Sequence, residues 1–175
     1  MKYYGYILLA LGVLIGIVIY RWNRYGKNVD FDFDFTNIGG IVGQLEQAVQ
    51  TENNSLQKGS PNEKGIGLYL QIPLTTIIKN NKSTNLNLRD ALVELSYQGE
   101  KIMRTAPDSS GITAKVPAGE EKSVTENVDV LINGKTLAFA KAFVKGEKPK
   151  LDYKIKTKLW GVTYSFQDSK LAEQK

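Results

Sequence analysis

Apolar and polar residues alternate with period two along most of this chain, the spacing of strands with one buried and one wet face. The first run is DFDFDF, residues 30–35, in which three phenylalanines share one face and three aspartates the other. From Leu68 the alternation returns, with Leu68, Leu70, Ile72, Leu74, Thr76 and Ile78 on one side. Pro73 interrupts that run without an amide donor, which predicts an edge strand or a bulge there. NNKSTN (80–85) reads as a turn, and Ala91, Val93, Leu95 and Tyr97 alternate again. Gln98-Gly99 then makes a hairpin turn into EKIMRT. Ile112, Ala114 and Val116 precede the turn PAGEE (117–121), and Val124, Val128, Val130 and Ile132 form a further half-buried strand. Near the end, Leu151, Tyr153, Ile155, Thr157 and Leu159 face inward while Lys154, Lys156 and Lys158 face outward; Val162, Tyr164 and Phe166 close the sheet.

Other segments depart from this period. In GKTLAFAKAFVKG (134–146), Leu137, Ala140, Phe143 and Val144 fit a short amphipathic helix stopped by Gly146. TNIGGIVGQLEQAVQ (36–50) is ambiguous, with Leu45 and Val49 on one face of a short helix. Residues 51–65 are polar and rich in turn formers, and read as a flexible loop. About seven short strands with one interposed helix predict an all-β fold, an immunoglobulin-like or fibronectin-like β-sandwich.

Tyr3 to Tyr20 holds 18 residues without a charge, long enough to cross a bilayer as a helix. Tyr3, Tyr4 and Tyr6 flank it on one side and Tyr20, Trp22 and Tyr25 on the other, the two interfaces that amphipathic rings prefer. The run is too long for a cleaved signal peptide and lacks a small-residue cleavage site before Arg21, so the expectation is an uncleaved signal-anchor. A single N-terminal transmembrane helix therefore precedes the sandwich in this reading. Arg21, Arg24 and Lys27 follow the span and only Lys2 precedes it, which places the C-terminal domain of a single-pass protein on the cytoplasmic side. Gly12 and Gly16 form a GxxxG that would let two such helices pack as a homo-oligomer, although chance spacing accounts for it equally well. The expected divisions are an anchor and basic flank over 1–27, a first strand and polar loop over 28–65, the sandwich over 66–168 and a polar tail over 169–175.

Composition narrows the chemistry. The chain has neither cysteine nor histidine, which removes disulfides, thiolate nucleophiles and the commonest general base and metal ligand. DFDFDF fails as a calcium loop, because its sixth and twelfth positions are Phe35 and Ile41 where glycine and glutamate are needed. Adventitious calcium is the alternative to a plain strand. Glu120, Glu121 and Glu126 sit in and after a turn with no base or cofactor motif nearby, so neither an enzyme nor a cofactor is expected. The net charge is +5, and between Lys141 and Lys170 eight lysines face three acids, a surplus equal to the whole net charge. Such a region suits phosphate-bearing neighbours.

LQIPLTTIIKNNKSTNLNLRDALVELSYQGEKI, VPAGEEKSVTENVDVLIN and LDYKIKTKLWGVTYSF together resemble the type-2 late-embryogenesis-abundant family, the water-stress and hypersensitive-response domain, over about residues 66–166. Asn80 matches the first asparagine of that family's Asn-Pro-Asn turn, whereas Asn81 and Lys82 depart from it. The resemblance implies a sandwich fold, no catalytic residues, and a role in stress protection or membrane-associated interaction.

Two functional expectations follow. One is a non-catalytic, membrane-anchored structural or interaction protein of a cell envelope, its sandwich held beside a lipid bilayer against an envelope protein. The other is a virion membrane protein bridging an internal membrane to a capsid. Lys154, Lys156 and Lys158 are read either as solubilising residues on an outward face or as a contact for anionic headgroups. No specific nucleic acid is expected, since that face lacks aromatic rings.

Overall fold

The computed structural model describes residues 12–14, 16–17, 28–56, 69–159 and 162–173. Eight strands run β1 (Val29–Asp34), β2 (Tyr69–Asn80), β3 (Leu86–Tyr97), β4 (Glu100–Thr105), β5 (Ile112–Val116), β6 (Glu121–Leu131), β7 (Lys150–Leu159) and β8 (Val162–Leu171). A 3-10 helix (Thr36–Ile41) leads directly into α1 (Val42–Leu56), and α2 (Gly134–Val144) separates β6 from β7.

The strands do not divide into two packed sheets. One antiparallel sheet in the order β1-β2-β6-β4-β3-β7-β8, with β5 added on β3, curls into a nearly closed barrel. The expected sandwich is corrected accordingly, and the cause lies in β3. Its register shifts between Leu88 and Ala91, and Asp90 takes a φ of 48°. This bulge bends the strand so that its first half pairs with β5 and its second half with β4, joining what would be two sheets into one. Gly111 (φ 77°) lies against the bulge, where an added Cβ would sit 2.9 Å from both the Asp90 carbonyl carbon and the Ala91 oxygen. Gly111→Ala is expected to lower stability by about 2–4 kcal/mol through clash and left-handed strain together, read from the urea midpoint.

The transmembrane expectation is also corrected. Among the described residues no helix is long and apolar enough to cross a membrane. The 15 residues of α1 reach about 22 Å at 1.5 Å each, short of a hydrocarbon core of about 30 Å, and include Glu46 and Glu52. The single-pass, signal-anchored description and the cytoplasmic placement built on it are withdrawn. Tyr3, Tyr4, Tyr6, Tyr20, Arg21, Trp22, Arg24 and Tyr25 lie outside the described residues.

Two boundaries moved as well. The polar run after residue 50 continues α1 to Leu56, and the supposed tail continues β8 to Leu171, with Ala172 buried. Pro73 is accommodated because β1 ends opposite Thr75, leaving β2 locally an edge at the proline.

Apolar side chains fill the barrel. Phe31 and Phe33 of β1, and Phe35 just beyond it, are all buried, so the DFDFDF alternation becomes a strand with its rings inside. At the end where β6 finishes and β7 begins, Phe35 meets Phe139 and Phe143 of α2 edge-on at 5.4 and 5.7 Å. Asn133 caps α2 by accepting from the Thr136 amide at 2.8 Å. At the opposite end the fully buried Asn80 side chain donates to the carbonyls of Thr84, Val116 and Pro117. It thereby ties the β2–β3 and β5–β6 connections together.

Between β1 and β8 the barrel has a seam, since β1 pairs only with β2 and β8 only with β7. Side chains span it. Lys170 reaches Asp30 and the Phe31 carbonyl at 3.3 Å and Asp32 at 3.7 Å. Beneath that clasp the Phe31 ring packs on Phe166 and Tyr153 at 5.2 and 6.1 Å. Burial first, then the charges of Asp168 and Asp30, push the Tyr153 hydroxyl up to about 12 from an ordinary 10.0. Above pH 10 the unfolded chain releases this proton while the folded chain keeps it, so stability falls as pH rises from 10 towards 12. Tyr153→Phe is expected to flatten that decline in unfolding curves taken across the range.

Candidate functional site

The outward side chains of β7 are Lys150, Asp152, Lys154, Lys156 and Lys158, because Leu151, Tyr153, Ile155 and Thr157 point into the core. The sequence-predicted lysine face therefore exists as one ridge, with Lys156 and Lys158 exposed and Lys154 half-buried. Its cross-strand neighbours on β8 are uncharged: Gln167, Ser165 and Thr163. On β3 the neighbours are Glu94, opposite Lys154, and Leu92, opposite Lys156. Glu94 is engaged by Lys101 at 2.8 Å, and among the described residues none of the three ridge lysines makes a salt bridge.

Further cations that the strand pattern did not single out join this surface. The β3 bulge places the Arg89 backbone against Thr157, whose hydroxyl accepts from the Arg89 amide at 3.1 Å and donates to its carbonyl at 2.8 Å. Arg89 thus lies beside the strand position between Lys156 and Lys158. Lys115 of β5 is exposed opposite Asn87, two residues before Arg89. A signal for the bulge was present in LNLRDALVEL. The inward residues change from even positions (Leu86, Leu88) to odd ones (Ala91, Val93, Leu95), which requires one extra residue between them.

The candidate carboxylates are not brought together. Glu120 lies in the β5–β6 turn and Glu121 pairs with Lys79 at 3.5 Å. Glu126, five residues further along β6, is of opposite parity to Glu121 and so belongs to the other face. Its carboxyl is raised above the ordinary range by burial, an effect opposed by a hydrogen bond from Ser109. Ser109 also accepts from the Gly111 amide at 3.2 Å, so this group steadies the loop behind the bulge. The aspartates of β1 serve the fold: Asp30 and Asp32 hold Lys170, and Asp34 accepts from the Thr36 amide and hydroxyl. Asp129, fully buried between Val128 and Val130, is neutralised by Arg104 at 3.2 Å. A crevice at the seam beside Phe33, Tyr153 and Lys170 has room for about one water. Gly12 and Gly16 are helical, and a Cβ at either would meet nothing within 4 Å.

No protein-family model matches the chain, and no curated protein is detectably related to it.

Proposed function

We propose that this chain is a non-catalytic interaction protein, structural in role, whose barrel is a rigid support for an anion-binding outer face. The observation that carries this reading is the lysine ridge of β7, three cations at successive outward positions without an acidic partner. Lysines that only kept a strand soluble would be served equally well by mixed signs, whereas here the β8 neighbours are neutral and Glu94, the β3 carboxylate opposite Lys154, is already engaged. The core supports the same reading, since it is filled by side chains and leaves the surface as the place where partners meet the protein. The resemblance to the late-embryogenesis-abundant domain agrees with an interaction role and adds no residue to the face.

The test is the salt dependence of binding by the full chain to a phosphate-bearing surface. The expected result is binding to anionic vesicles that weakens steeply as ionic strength rises past the point where the Debye length falls to about 8 Å. Salt-insensitive binding, equal on neutral and anionic surfaces, would overturn the proposal.

A further inference from the structure

We propose that the outer face of β7 and β3 docks on the surface of an anionic phospholipid bilayer, with Leu92 entering between the headgroups; this rests on reading the lysine ridge as a docking face. Leu92 is 49% exposed in the middle of a strand, directly opposite Lys156. A large apolar side chain in a central strand normally turns inward. Leu92 faces outward because Ala91 and Val93 take the inward positions set by the bulge.

Around Leu92 the charges are strongly biased. Arg89, Lys115, Lys154, Lys156 and Lys158 carry five positive charges on adjacent strands, against Asp90, Glu94 and Asp152; Glu94 is neutralised by Lys101, and Asp152 accepts from the Ser169 hydroxyl. A single apolar side chain ringed by cations matches a headgroup layer, which is anionic outside and apolar just beneath. The other partners fit less well. The outward positions of β7, β3 and β8 carry no aromatic ring among the described residues, and single-stranded nucleic acid needs such rings for stacking. An extended peptide needs a free strand edge or a groove, whereas β3 and β7 are paired on both sides.

The absence of cysteine from the chain makes the test direct. A polarity-sensitive fluorophore is placed on full-length Leu92→Cys and, as a control, on Thr125→Cys, an exposed β6 position away from this face. Vesicles of phosphatidylcholine are compared with and without phosphatidylserine. The expected result is a blue shift, with quenching by lipid-borne nitroxides, for the Leu92 label on phosphatidylserine vesicles only, and no shift for the Thr125 label. Arg89→Gln with Lys115→Gln is expected to lower the ratio of anionic to neutral partition by roughly tenfold or more, each charge near the surface being worth about fivefold. Taking the ratio cancels contributions that the rest of the chain makes to both surfaces.

A Leu92 label that stays wet while the ridge lysines are still required for vesicle binding overturns the proposed entry of Leu92 between the headgroups and leaves the lysine face standing as a purely electrostatic contact. A blue shift at Thr125 equal to that at Leu92 also overturns it. Binding that ignores the lysines altogether removes the underlying reading as well.

Discussion

Phe31→Ala is expected to cost about 4 kcal/mol, the usual penalty for deleting a fully buried phenylalanine, out of a total stability of about 5–15 kcal/mol for a domain. Phe31 is fully buried in β1, the strand whose second edge has no ladder partner. Its ring touches Phe166 of β8 and Tyr153 of β7, and its carbonyl accepts from Lys170. Removing the ring therefore opens a cavity and uncouples the two edges of the barrel at once. Phe31→Leu retains most of the volume and is expected to cost about 1.5 kcal/mol. Urea unfolding checks both. A loss below about 1 kcal/mol for Phe31→Ala would mean that the seam is held by the Lys170 clasp, or that β1 contributes little to the cooperative unit.

The second large effect concerns binding. Changing Lys154, Lys156 and Lys158 together to glutamine is expected to weaken attachment to an anionic surface by roughly a hundredfold at low salt, from about 1 kcal/mol per charge. Stability should move by no more than about 0.5 kcal/mol, since none of these side chains makes an ion pair among the described residues. The combination separates a binding face from a merely solubilising one: lysines present only for solubility would leave attachment unchanged and lower solubility instead. Lys101→Gln is an internal comparison, because Lys101 is engaged with Glu94. Its loss frees an acid beside Lys154, so a smaller weakening of about fivefold is expected.

Strand positions were legible in the sequence where alternation was strict. DFDFDF became β1, the run from Leu68 became β2, and GKTLAFAKAFV became α2, because one buried face imposes the period directly. The sheet's closure was less visible. A sandwich and a barrel bury the same alternating residues, and what separates them here is the bend at Arg89-Asp90, encoded only as a change of parity along β3. The ends of α1 and β8 were misjudged because ENNSL and QDSKL are polar. Helix and strand there continue a backbone ladder that side-chain polarity does not report.

The candidate site divides in the same way. The lysine ridge followed from period two on a single strand, so three residues in sequence sufficed to find it. Arg89, Lys115 and Leu92 belong to other strands, and only the pairing of β3 with β5 and β7 brings them to the ridge. No local pattern encodes that pairing. The transmembrane expectation rested on an apolar run, its flanking aromatic rings and nearby basic residues, and among the described residues no helix meets the required length and apolarity.

The account stands most directly on which lysines become shielded when the full chain meets an anionic surface. Amine acetylation in the presence and absence of phosphatidylserine vesicles, mapped by mass spectrometry, reads this residue by residue. The predicted result is protection of Lys115, Lys154, Lys156 and Lys158, while exposed Lys122 of β6 and Lys148 before β7 react as before. Protection of Lys122 or Lys148 with the ridge left reactive would contradict the account and move the interaction to another face of the barrel.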